Sequence, residues 1–190
     1  MDAVTLLTAD HNRVRGLFAR FEAAQEAEDT TAMVEIVAQC FAELEVHTGI
    51  EEEIFYPRVK ETDDEIAELV DEGLQEHHVV DVLMEEMKAL EPGSDEWVAK
   101  FTVLMENVEH HAEEEEAEMF PPLRSKLGAD VLNPLAEQLE AGKRERGAPV
   151  LADKIDLTKE QLMQLAQEQE IPGRSKMDHD ELAATVAPAS

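Results

Sequence analysis

His47 and Glu51 lie four residues apart, and so do His111 and Glu115. On a helix this spacing puts an imidazole and a carboxylate on one face, one turn apart. Both pairs belong to a repeat. Asp10-His11 corresponds to Glu76-His77, and His47 precedes Pro57 by ten residues, as His111 precedes Pro121. His11 stands 36 residues before His47, and His77 stands 34 before His111. Two helical hairpins built to one plan follow from these intervals. A single buried histidine usually needs only one hydrogen bond, and a single His-x-x-x-Glu can serve as a surface ion pair. A repeated set of nitrogen and carboxylate donors argues instead for a transition-metal site.

The apolar residues around these groups say where they point. One stripe runs Val4, Leu7, His11, Val14, Phe18 and Phe21, and a second runs Met33, Val37, Cys40, Leu44, His47, Glu51 and Phe55. A third runs Val70, Leu74, His77, Val80, Met84 and Met87. The fourth is Trp97, Phe101, Leu104, Val108, His111, Glu115 and Met119. Each helix thus aims one histidine into the core, and two add a glutamate. His78 has Asp71 and Glu85 two turns away on either side and reads as solvent-facing. His110, with Glu106 and Asn107 on its preceding turn, is the weaker candidate beside His111.

Two carboxylates buried without partners would cost several kcal/mol or be held protonated. A cation between them removes that cost. Four imidazoles and two carboxylates exceed the four ligands zinc usually takes, and there is no oxygen-rich cage for calcium or magnesium. The set suits two iron ions, or manganese, bridged by the carboxylates and by an oxo or hydroxo group, with a position left for a small ligand.

Four long helices must position these groups. The apolar spacing predicts helices over 3–26, 31–56, 64–90 and 95–119, the second ended by Pro57 and the fourth by Pro121-Pro122, with a fifth over 129–145 after Gly128. The expected fold is all-α: an up-down four-helix bundle plus a short fifth helix and a small C-terminal two-helix module. Residues 1–146 form the bundle, 147–156 a linker and 157–187 the module, with Thr158 and Asp178 as helix caps. The 190 residues carry 16 Lys or Arg against 45 Asp or Glu, a formal charge of −29. That balance disfavours nucleic acid and anionic membranes as partners and favours cations. No apolar run approaches the roughly 20 residues that span a bilayer. One cysteine and an N-terminus without a basic and apolar leader pattern fit a reducing, cytoplasmic setting.

Over about residues 3–146 the chain resembles the hemerythrin family, in particular the HHE-type hemerythrin-like domains. The likeness rests on His11, His47-x-x-x-Glu51, Glu76-His77 and His111-x-x-x-Glu115, with the Phe55-Tyr56-Pro57 and Phe120-Pro121 endings. It implies a non-haem di-iron centre held by His11, His47, Glu51, His77, His111 and Glu115. It also implies binding or sensing of dioxygen, or handling of peroxide, nitric oxide or iron. Oxygen carriers of the family have a further histidine where this chain has Asp81, and an aspartate one residue later than Glu115. That departure puts simple oxygen carriage in doubt and leaves Asp81 as a seventh ligand, an orienting acceptor or a solvated acid. Three readings remain: a binding or sensing protein, an enzyme that turns over peroxide or oxidises Fe²⁺, and a metal-free interaction scaffold.

Gly49, between His47 and Glu51, either leaves room for a ligand or serves helix packing. Tyr56 could donate a hydrogen bond or an electron near the site, but is expected to pack at its helix end with its hydroxyl in water, and Cys40 to be a buried inert thiol. Beyond Glu51 and Glu115, the acid runs 51–53 and 113–116 read as a solvated face, with guidance of Fe²⁺ inward as the alternative. Lys143, Arg144 and Arg146 read as complements to a helix C-terminus. Leu157–Leu162, Ile171–Met177 and Asp180–Leu182 are similar to the helix–extended–helix modules of SAP domains and of the Rho N-terminal region. Eight acids against four bases make residues 150–190 a docking or solubilising element in preference to a DNA binder.

Overall fold

The computed structural model describes residues 2–147 and, beyond them, 162–163, 166–167, 171–178, 181–182 and 185–186. The linker and Thr158 lie outside these residues, Gly147 apart. Helix α1 spans Ala3–Glu26 and α2 Thr30–Ile50. A π-helical turn, Glu51–Phe55, joins α2 to α3 (Tyr56–Val59). Helix α4 spans Asp64–Lys88 and α5 Asp95–Glu114. A second π turn, Glu115–Met119, leads into α6 (Phe120–Leu127), and α7 covers Ala129–Glu145. The protein is all-α, with no strand among the described residues, and no described helix is long and apolar enough to cross a membrane.

Each long helix starts on a side chain that accepts an otherwise unpaired first-turn amide. Asp2 takes the Thr5 amide, Asp29 that of Ala32, Asp63 that of Ile66 and Ser94 that of Trp97. Gly128, at φ 68°, breaks the chain between α6 and α7. The predicted second and fourth helices differ from the structure at their ends. Neither stops at its proline. In both π turns the amide reaches back five residues, from Tyr56 to the Glu51 carbonyl and from Phe120 to that of Glu115. That wider turn resets the register, so Pro57 and Pro121 fall in the first turn of a new helix, where no amide hydrogen is needed.

The bundle core divides into two apolar clusters. One contains Leu7, Ile50, Phe55, Val59, Val70 and Met119. The other contains Val14, Phe21, Leu44, Met84, Trp97 and Phe101. Every inward histidine falls between them along its helix, so the polar layer is sealed above and below. Helix α7 lies across α1 and the end of α2. Gly142 permits the close approach: a Cβ there would fall 2.7 Å from Ile54 Cδ1. In the C-terminal segment Asp178 and Glu181 cap reciprocally, each side chain accepting the other's amide, as the expected cap at Asp178 requires. Ile171 rests against Gly16 of α1.

Candidate metal centre

The six expected donors come together. His11, His47, His77, His111, Glu51 and Glu115 are all buried, with Glu51 wholly inaccessible. The Nε2 atoms of His11 and His47 are 3.1 Å apart, as are those of His77 and His111. Glu51 Oε2 lies 3.3 Å from His47 Nε2 and 3.4 Å from His77 Nε2. Glu115 Oε2 lies 3.3 Å from His11 Nε2 and 3.9 Å from His111 Nε2. Each carboxylate therefore stands between the histidine one turn before it and one from the other hairpin. The donors form two overlapping groups that share Glu51: His11, His47, Glu51 and Glu115, and Glu51, His77 and His111. Within each group the donor atoms lie within 4.8 Å of one another. His78 and His110 are exposed, and Asp81 is exposed and outside both groups.

Three of the four outward nitrogens are also held, His47 Nδ1 being without a hydrogen-bond partner. His11 Nδ1 donates to Glu116 (2.8 Å), His77 Nδ1 to Glu52 (3.0 Å) and His111 Nδ1 to Glu76 (2.7 Å). Asp10 faces His47 Nδ1 at 3.8 Å. An ionised carboxylate can only accept, so it fixes the proton on Nδ1 and turns the Nε2 lone pair inward. Glu52 is exposed, as expected of a solvated face, and Glu116 is partly buried, but each also orients a buried histidine, a role not expected of them. The repeat carried the signal, since each directly follows a donor glutamate and orients a histidine of the other hairpin. Asp10 and Glu76 each precede a donor histidine and face the second histidine of their own hairpin.

Tyr56 also departs from expectation. It is 1% exposed, and its hydroxyl donates to Glu115 Oε1 at 2.9 Å. It lies 3.5 Å from the Nε2 atoms of His77 and His111. Burial and the Glu51 and Glu115 carboxylates push the phenol well up, which keeps it a donor. Gly73 makes this possible, because a Cβ there would fall 2.9 Å from the Tyr56 hydroxyl and 3.3 Å from His111 Cε1. Gly73→Ala should therefore break the Tyr56–Glu115 bond and lower stability by about 1–2 kcal/mol, although alanine is the better helix former. Tyr56 is the only tyrosine, so its ultraviolet difference spectrum should shift with the loss. An unchanged tyrosine spectrum would show that the ring accommodates the methyl group. Gly49 serves packing, with Arg146 Nε 3.2 Å from where its Cβ would be.

Lys143 lies in the last turn of α7 as expected, and is in addition a buried partner of Asp10. Burial alone would raise Asp10; Lys143 in particular holds its carboxyl far below the usual range. Arg146 pairs with Glu53 at 2.6 Å. Cys40 is buried as expected, and burial pushes its thiol far up.

Metal-free, the cluster is an electrostatic conflict. Burial and the facing Glu115 hold Glu51 well above the usual carboxylate range. Burial opposes charge on His11, yet Glu115 and Glu116 hold it up at about 9. Burial and the His111 and His47 rings push His77 down to about 3. Neither Glu51 oxygen has a hydrogen-bond partner, nor does Glu115 Oε2. Orphaned carboxylate oxygens among inward imidazole nitrogens fit a transition cation, which replaces the protons otherwise needed there.

A helical bundle with such a His/Glu cluster defines a cation-binding protein of the four-helix class. Residues 2–123 match the family described as "Hemerythrin HHE cation binding domain", and the chain belongs to that family. Among curated proteins it is similar to a DNA nickase from Nostoc sp. (strain PCC 7120 / SAG 25.82 / UTEX 2576), 28% identical over 145 residues. The match covers 75% of this chain and 39% of that protein, so it leaves more than half of its relative's length unmatched. No solved structure matches.

Proposed function

We propose that this chain is a non-haem di-iron protein that binds or senses dioxygen or a related small oxidant such as peroxide or nitric oxide. His11, His47, Glu51, His77, His111 and Glu115 would hold the two ions, with manganese the alternative metal. The observation that carries this reading is the convergence of four Nε2 atoms on two carboxylates with orphaned oxygens in a buried layer. Iron held there would supply reversible one-electron chemistry and an open position for a small ligand.

The chain's own groups restrict what reaches that position. A cavity of about 20 Å³ abuts all four histidines and is walled by Val14, Phe18, Leu44 and Val80. It has room for about one water-sized molecule, which suits a diatomic or peroxide ligand. Arg15, bonded to Glu109 at 2.9 Å and Glu116 at 2.8 Å, lies at its margin and helps fix His11 through Glu116. A second reading, peroxide turnover or Fe²⁺ oxidation, is favoured by Tyr56, a buried O–H donor bonded to Glu115 and close to two imidazoles.

Anaerobic Fe²⁺ loading should leave about two irons per chain, and the optical spectrum should respond to air, azide and peroxide. One zinc and no iron would contradict the proposal. Peroxide consumption above that of free iron, lost in Tyr56→Phe, would select the enzymatic reading. The relative's name raises DNA as a substrate, but a charge of −29 opposes phosphate binding. The loaded protein should nick supercoiled plasmid no faster than free iron.

A further inference from the structure

A third set of metal-ligating side chains stands on the α4–α5 surface. His110 Nε2 lies 3.8 Å from Glu76 Oε1 and 3.4 Å from Glu114 Oε1. The His110 side chain is 65% exposed, whereas Glu76 and Glu114 are partly buried. One imidazole and two carboxylates suit a divalent transition ion that retains part of its water.

Beneath them is a small cavity of about 10 Å³. Glu76 and Glu114 line it, and so do Gly73, His111 and Glu115. Glu115 is 2% exposed and its Oε2 has no hydrogen-bond partner. Glu115 thus links the cavity under the surface carboxylates to the buried cluster, where its Oε2 faces His11 Nε2 at 3.3 Å. Glu76 belongs to both levels: Oε1 faces His110, and Oε2 accepts from His111 Nδ1.

The repeat shows that this side is specialised. The positions of Gly73, His110 and Glu114 correspond to Leu7, Val46 and Ile50 in the first hairpin, and that of Glu76 to Asp10. On that side Leu7 and Ile50 are packed in the core, and Asp10 is closed off by Lys143 of α7. One hairpin is sealed where the other carries oxygen and nitrogen donors from the surface to the buried cluster.

We propose that His110, Glu76 and Glu114 form a loading site, which captures a divalent transition cation and passes it inward past Glu76 to Glu115. The loading role rests on the reading that the buried cluster holds cations. A stepwise exchange of water for carboxylate oxygen avoids exposing a bare ion to the apolar wall.

Two measurements on the full chain test this. In protein given only enough Zn²⁺ to fill the buried cluster, substoichiometric Mn²⁺ should broaden the His110 ring resonances at least fivefold more than those of His78, an exposed histidine of α4. Glu114→Gln should abolish the difference. Equal broadening of His110 and His78 overturns the site. In stopped flow, the His110→Ala/Glu114→Gln double variant should take up Co²⁺ about tenfold more slowly than wild type and reach the same final ligand-field spectrum. An unchanged rate overturns the loading role. Wild-type protein with selective His110 broadening but no buried Co²⁺ spectrum would refute the central metal reading and the loading role with it, leaving a surface site alone.

Discussion

Lys143→Met should destabilise the protein by about 3–5 kcal/mol, the range for removing one partner of a buried ion pair. For a chain of this size that is a fall in Tm on the order of 10 °C. Lys143 and Asp10 side chains are each only 5% exposed, so water cannot replace the lost ammonium. Adding Asp10→Asn should recover much of the loss, because it removes the stranded charge, and denaturant unfolding of the four chains gives the coupling directly. The pH dependence has a definite sign. Asp10 is depressed when folded, so its contribution is fully present above the ordinary value near 3.8 and is lost as pH falls below it. The wild-type advantage over Lys143→Met should therefore be largest near neutrality and shrink in acid. Equal stability of the two chains at pH 7 would mean that Asp10 finds another cation or a proton at little cost.

Glu51→Gln should separate folding from metal binding. In the metal-free protein Glu51 is forced toward its neutral form by burial and by Glu115. A neutral amide of the same shape should leave the apo chain at least as stable as wild type. With a divalent transition cation at about a thousand times its Kd, wild type should gain about 4 kcal/mol, or on the order of 10 °C in Tm. Glu51→Gln should gain less than about 1 kcal/mol, because the shared donor of both groups is gone. Thermal melts with and without added cation read both effects. A variant stabilised as much as wild type would show that Glu51 is not a donor.

The sequence made the site's inner surface legible because helical periodicity and ligand spacing coincide. Apolar stripes located each imidazole, and the repeat linked the two hairpins. Helix starts were legible from the apolar spacing: the helix expected from residue 95 begins there, behind the Ser94 cap. The ends were not. Proline normally stops a helix, and only the π turns after Glu51 and Glu115 let the chain continue through Pro57 and Pro121. The outward face of the site was missed because its partners come from other elements. Glu52 and Glu116 look like members of surface acid runs until a facing helix supplies His77 and His11. Lys143 is 133 residues from Asp10, and nothing local distinguishes it from a helix-end lysine. Tyr56 became buried because Gly73, on another helix, leaves space for its hydroxyl.

Anomalous scattering at the iron edge, from crystals of protein loaded with Fe²⁺ without oxygen, addresses the core of this account. Two peaks are expected, one beside His11 and His47 and the other beside His77 and His111, with Glu51 next to both. Peaks confined to the surface acids, or a single ion away from Glu51, would contradict it.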